Sequence, residues 1–327
     1  MKVLFIGGTG NISSSVSRFC IEKGIDLYLL NRGFTKEIIH GAKLINGDIN
    51  DEQLIKGKIA NQNWDVIVNW IAFTKEDIIR DFNYFKEKTN QYIFISSASA
   101  YQKPLRNPII TESTPLENPF WEYSRNKIEC ENKLNELNRN NDFPITIVRP
   151  SHTYDKLIPT SIGGSKDYTI IDRMKKGKKI IVHGDGTSLW TITHSKDFAK
   201  GFTGLIGNKK AIGESFHITS DEILTWDQIY TQIAEAVCVK PNIVHIASDF
   251  ICSINNSFTG TLIGDKSSSA IFDNSKIKSF VPDFKAIIPF KEGIKETINW
   301  FESDPKRMII DNETNEMIDE IITKYER

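Results

Sequence analysis

The segment Lys2-Val3-Leu4-Phe5-Ile6-Gly7-Gly8-Thr9-Gly10-Asn11-Ile12-Ser13 decides how this chain is read. A short β-rich apolar run enters a glycine-rich turn, and a helical pattern follows as far as Lys23. Glycines at 7 and 10 permit a tight turn and close approach of backbone N–H groups to a pyrophosphate. The helix behind the turn points its positive end at the same anion. The loop is therefore a nucleotide cradle, with Gly7, Thr9, Gly10, Asn11 and Ile12 as expected dinucleotide contacts. The third glycine of this spacing is replaced by Ser13, whose extra atoms are expected to hold the helix slightly off the sheet.

Outward from the loop, Lys2–Ile6, Leu27–Leu30, Lys43–Ile45, Val66–Asn69, Tyr92–Ser96 and Ile145–Val148 read as buried strands separated by helix-length stretches. That alternation predicts parallel β-α-β units, and crossovers on both faces make an α/β, doubly wound, Rossmann-type sheet. After Pro150 the alternation ends, and turns such as 162–165 and 183–186 interrupt shorter elements. The expected division is a dinucleotide-binding domain over residues 1–152, rejoined by about 187–220 through a strand at Ser215–Ile218. A smaller C-terminal substrate lobe takes residues 153–186 and 221–327. Helical patterns also cover 195–206, 289–301 and 313–325.

Composition narrows the function. The 327 residues are 39% hydrophobic and 25% charged, as in ordinary globular proteins, and 41 basic against 42 acidic side chains leave a formal charge of -1. No global field attracts nucleic acid or an acidic membrane, so neither is an expected partner. The four cysteines have no metal or redox spacing, and the six histidines form no ligand motif, so no metal is expected. The first apolar run is too short for a signal peptide, and no segment reaches the roughly 18 apolar residues of a membrane span, which makes the cytoplasm the expected location.

Chemistry-bearing residues fall in order along this frame. Asn31 and Arg32 end the second strand, where a carboxylate would hold the ribose hydroxyls of NAD. A guanidinium there favours a 2'-phosphate, so NADP is expected ahead of NAD, although Arg32 covering the adenine or pointing into water is the plain alternative. Asp48 follows the third strand and is either an adenine contact or a simple loop aspartate. Tyr123 and Lys127, one helical turn apart, share a face, and the lysine charge favours the phenolate. Ser97 stands at the edge of the fifth strand, where a hydroxyl can hold a substrate oxygen; helix capping is its other reading.

With these residues in hand, the chain resembles an extended short-chain dehydrogenase/reductase, the group of NAD-dependent sugar epimerases and dehydratases. The resemblance rests on the loop from Gly7, Gly47-Asp48, Asp65 to Ala72, Ser97 with Tyr101, Tyr123 with Lys127, Val148-Arg149-Pro150 and Gly184-Asp185-Gly186. The segments 187–197 and 292–301 look more like an atypical branch of epimerases, reductases and stem-loop RNA-binding relatives. The resemblance implies a Ser97-Tyr123-Lys127 centre for hydride and proton transfer. It also implies further cofactor contacts at Ile49, Ile71, Ala72, Lys127, Pro150 and His152, and substrate contacts at Phe73, Ser99, His152 and Trp190. A small, sugar-like substrate and a homodimer are the implied partners.

Two departures refine this expectation. Nucleotide-sugar epimerases of the group place an arginine after the Gly-Asp-Gly turn to clamp the substrate pyrophosphate, and that position corresponds to Trp190. Arg173, Lys175 and Lys176 are candidates to replace it. The Asp-Glu pair that the group's dehydratases use is Ala98 and Ser99, which ranks epimerisation or carbonyl reduction above dehydration. The expected function is thus a sugar or nucleotide-sugar epimerase/oxidoreductase; the alternatives are an NADPH-dependent carbonyl reductase, and a non-catalytic NAD(P)-binding regulator or RNA-associated protein. His152 reads as a substrate contact or turn residue before a second acid/base. The run 175–179 reads as a solvated basic face.

Overall fold

The computed structural model describes residues 1–34 and 37–327. Seven strands form one parallel sheet: β1 (Lys2–Ile6), β2 (Asp26–Asn31), β3 (Lys43–Asn46), β4 (Val66–Asn69), β5 (Tyr92–Ile95), β6 (Ile145–Pro150) and β7 (Ser215–Ile218). Their spatial order is β7-β6-β5-β4-β1-β2-β3, so the direction of winding reverses beside β1. In such sheets the crevice outside the strand ends at the reversal is where ligands collect. The central strands are apolar on both faces, because helices cover both. One core lies against β1 through Val3 and Phe5, and the opposite one through Leu4 and Ile6.

Strand β3 differs from the buried strand expected at Lys43–Ile45: Leu44 is 64% exposed. It is the sheet's edge, with only β2 beside it, so half its environment is solvent. The strand at Ser215–Ile218 does pair with β6, from Ser215 opposite Ile147 to Ile218 opposite Pro150.

Helix α1 (Ser13–Glu22) packs its small serine-rich face inward. The Ser17 hydroxyl donates to the Gly8 carbonyl at 2.8 Å, and Ser15 meets Ser195 at 2.8 Å. Helix α2 (Lys75–Phe85) starts from a capping box made by Thr74 and Asp77. Helix α3 (Glu122–Asn141) carries Tyr123 and Lys127 and ends at Asp142, which takes a left-handed conformation.

Beyond β6, short strand pairs replace the large sheet: Lys179–His183 with Asn242–Ile246, His152–Tyr154 with Ile192–His194, and Ile109–Ile110 with Ile271–Phe272. A third apolar core gathers here around Trp226, Tyr230 and Phe290.

Candidate functional site

Two cavities open at the strand ends. The first, about 770 Å³, runs from the glycine loop past Asn31, Arg32, Asp48 and Ile49 to Ile71, Phe73, Ser97, Tyr123, Lys127 and Pro150. The second, about 620 Å³, holds Ser99, Lys103, Trp121, His152, Trp190 and Lys266. Ser97 and Tyr123 line both cavities, together with Pro150, Ser151 and Thr153.

The loop geometry fits a dinucleotide pyrophosphate. Gly8 has φ +113°, and a Cβ there would stand 2.7 Å from Leu29 Cδ2. Gly7 has φ +93°, with Trp70 and Ile71 each 3.3 Å from the same imagined atom. The N-terminus of α1 has no side-chain cap and no acidic residue in its first turn, which leaves its dipole to a ligand. Ser13 does more than fill space: its hydroxyl accepts from the Gly10 N–H at 2.8 Å. Asn11 ties the loop across the cleft, donating to the Thr153 carbonyl at 2.9 Å. The buried Ser151 hydroxyl on the shared wall has no hydrogen-bond partner among the described residues, leaving capacity for a bound group. Gly8→Ala is expected to weaken dinucleotide binding by about tenfold or more, since any side chain at this φ is strained by roughly 1–3 kcal/mol. Calorimetric titration with NAD and NADP measures it, and unchanged affinity would refute the cradle.

At the rim, Arg32 reaches Asp48 at 3.7 Å and lies over Phe34 at 5.2 Å. The Arg32 side chain is 60% exposed and that of Asp48 38%, so solvent weakens their attraction and the guanidinium is available to a ligand. Asn31, with its amide nitrogen turned to the loop, donates to the Gly7 carbonyl at 2.9 Å.

At the junction, Lys127 is buried and donates to the carbonyls of Ala72 and Ile95 at 2.7 and 2.8 Å. Its ammonium lies 4.5 Å from the Phe73 ring centroid and 5.7 Å from that of Tyr123. Burial pushes Lys127 down to about 8. The expected acidification of Tyr123 by this lysine does not appear: burial pushes the phenol up, opposed by its hydrogen bond with Ser97. Ser97 is both a wall of the site and a cap. Its hydroxyl accepts from Ser99 N–H at 3.2 Å and meets the Ser99 hydroxyl at 2.9 Å, which meets Ser124 at 2.8 Å.

Several positions differ from expectation. Ala72 is not on the cleft wall; its side chain is fully buried, and its carbonyl holds Lys127. His152 lines the second cavity rather than the dinucleotide cleft, whereas Phe73 lines the cleft and not the second cavity, because each follows its own strand end. Burial, with the Lys266 charge adding to it, pushes His152 down to about 3, so it is neutral near pH 7 and is not a protonated acid there. The proposed replacements for the missing arginine lie elsewhere. Arg173 is 1% exposed and is held by Lys179, Asn315 and Asp319. Lys175 and Lys176 pair with Glu302 and Asp172.

The cations of the second cavity are instead Lys103, Lys166 and Lys266, with Asp265 among them. Sequence reasoning missed these, since single lysines in turns carry no spacing signal. Among the described residues, no group of three or more His, Cys, Asp or Glu side chains is placed to hold a metal ion. No helix among them is long and apolar enough to cross a membrane.

Residues 3–219 match the model of the NAD dependent epimerase/dehydratase family. Over 263 residues the chain is 27% identical to the chloroplast stem-loop binding protein of 41 kDa b of Arabidopsis thaliana, covering 75% of this chain and 65% of that protein. It is 30% identical over 151 residues to a UDP-glucose 4-epimerase of Lactobacillus helveticus, covering 40% of this chain and 45% of the relative. The chain thus spans less than two thirds of the length of either relative. In fold it is similar to the dTDP-glucose 4,6-dehydratase of Bacillus anthracis, solved in complex with NAD, at a TM-score of 0.74 and 20% identity over 94% of this chain and 98% of that one. With the family model covering most of the chain, the chain belongs to the NAD dependent epimerase/dehydratase family.

Proposed function

We propose that this protein is an NAD(P)-dependent sugar epimerase or oxidoreductase. The observation that carries the reading is the wall shared by the two cavities, where Ser97 and Tyr123 face both. A dinucleotide in the first cavity and a sugar in the second would meet at that wall. The nicotinamide, when bound, supplies hydride acceptance and donation.

The chain's own residues do the rest. Tyr123 takes the proton of the substrate hydroxyl as its carbon becomes a carbonyl, and returns it on reduction. Ser97, on the same wall as the phenol, would hold the same oxygen and orient it toward Tyr123. Lys127, anchored on two main-chain carbonyls, would hold the cofactor ribose with its remaining N–H. Burial holds the phenol up, so Tyr123 would serve as a base beside an added positive charge, which an oxidised nicotinamide would supply. Ala98 and Ser99 supply no carboxyl group for dehydration, which favours epimerisation or carbonyl reduction.

The test is a sugar panel of UDP-glucose, glucuronate and a glucose phosphate, followed by nicotinamide absorbance and by product chromatography. Product epimer without net cofactor change supports the epimerase; stoichiometric oxidation of NADPH supports the reductase. Failure of every sugar and carbonyl compound to react, with cofactor bound, would refute both.

NADP is proposed ahead of NAD because Arg32 is the cation at the adenine-side rim. Arg32→Ala is expected to lower the NADP affinity about tenfold while leaving that of NAD within about twofold. An unchanged ratio of the two dissociation constants would remove Arg32 from cofactor choice.

The Arabidopsis relative's name favours a second reading, RNA association. The near-zero net charge weighs against it, and salt-sensitive retention on stem-loop RNA would support it.

A further inference from the structure

Lys103 is a buried cation with too little to hold it. Its side chain is 1% exposed, yet among the described residues its ammonium reaches only the Asp265 carbonyl oxygen, at 3.3 Å, the Asp265 carboxylate, at 3.7 Å, and the face of Trp190, 5.7 Å from the ring centroid. The second distance is beyond a hydrogen bond, and the first is long for one. A buried ammonium has three hydrogens to place, and leaving them unplaced is costly. Lys103 lines the second cavity beside Lys266 and Lys166, with Asp265 as the only carboxylate on that wall among the described residues. The charge of Lys266 adds to burial in disfavouring the Lys103 ammonium, so the two cations repel with only Asp265 between them.

Asp265 and Lys266 are presented by an irregular turn, Leu262–Lys266, wound wider than an α-helix. Wide turns of this kind recur at functional sites. The turn is nested on Trp121: a Cβ on Gly260 would lie 2.3 Å from Trp121 Cδ1, and one on Gly264 would lie 3.2 Å from Trp121 Cβ. The Trp121 ring in turn lies 5.0 Å from that of Tyr123, centroid to centroid, with the planes tilted by 45°. The cationic turn is therefore fixed against the segment that carries the proposed proton shuttle.

We infer that Lys103 and Lys266 form an anion subsite in the second cavity that takes a carboxylate or phosphoryl group carried by the sugar substrate itself. The inference rests on the proposed function for the identity of the cavity as the substrate's. It specifies a compact acidic sugar, whose charge is read by lysines from the turns at 103 and 266. A bound oxyanion supplies the acceptors that Lys103 lacks and offsets the repulsion between the two ammonium groups.

Binding of glucose, glucuronate and glucose phosphate to the full-length protein saturated with NADP is measured by calorimetry, with dinucleotide affinity measured separately. The carboxylate and phosphate arms distinguish the two sources of charge. One or both acidic sugars are expected to bind at least about tenfold more tightly than glucose, and Lys103→Met and Lys266→Gln each to remove about tenfold of that preference. Lys103→Met removes an under-satisfied buried charge for an apolar chain of similar length, so its thermal midpoint is expected to hold or rise while anion binding falls. A fold defect would lower both and is thereby recognised; Lys266→Gln, on the cavity wall, then carries the test. Equal binding of neutral and acidic sugars, or a preference that survives both substitutions, overturns the subsite. Loss of dinucleotide binding by the unaltered protein would instead overturn the proposed function.

Discussion

Phenylalanine in place of Tyr123 is expected to cut turnover by about 10²–10⁴-fold while leaving NADP affinity within about twofold. The ring keeps its packing against Trp121 and Phe73, 5.0 and 6.3 Å away, so the substitution removes one hydroxyl and little else. That hydroxyl is the only titratable group on the wall shared by the two cavities, among the described residues. His152, the histidine lining the second cavity, is held neutral and does not lie on that wall. Steady-state kinetics on the reacting sugar, paired with calorimetry, separates turnover from binding. Turnover within threefold or so of the unaltered enzyme would show that the proton moves by another route.

Arg149→Met is expected to cost about 3–5 kcal/mol of stability, because it strands a buried carboxylate. Glu131 is fully buried and Arg149 is 5% exposed. The guanidinium donates to Glu131 at 2.6 and 3.0 Å and to the Tyr101 hydroxyl at 3.1 Å. Glu131 also accepts from Ser96, and it lies eight residues beyond Tyr123, on the same face of α3 as Tyr123 and Lys127. The pair thus fixes the helix bearing Tyr123 to the strand edge bearing Ser97. Removing both partners with Arg149→Met and Glu131→Leu is expected to recover much of the loss, since the stranded charge goes too. Urea unfolding of the three variants measures this. A single variant within about 1 kcal/mol of the parent, or a double variant no better than the single, would contradict it.

The sheet was legible because its signals are local. The run Lys2–Ile6 before Gly7, and the apolar strands Val66–Asn69 and Ile145–Pro150, declare burial on both faces through composition alone. Lys43–Asn46 misled because edge position is decided by strand order, which its own residues do not encode. The junction was legible for a similar reason: helical spacing puts Lys127 on the face of Tyr123, and Ser97 stands just beyond a strand end. The partner that Lys127 actually takes was not legible. The carbonyls of Ala72 and Ile95 arrive from two other strand ends, and only the folded sheet brings them to the ammonium. The second cavity was least legible of all. Lys103 and Asp265 meet across 162 residues of sequence, and Arg173, which the sequence offered for the same task, is consumed in packing the C-terminal helix Asn312–Tyr325.

All of this depends on a nicotinamide dinucleotide occupying the glycine-lined cleft. Native mass spectrometry of the purified protein, before and after incubation with NADP and NAD, tests that most directly. One dinucleotide per chain is predicted, with Gly8→Ala losing it under the same conditions. A chain that takes up neither dinucleotide, or a Gly8→Ala variant that holds one as well as the parent does, would contradict the account.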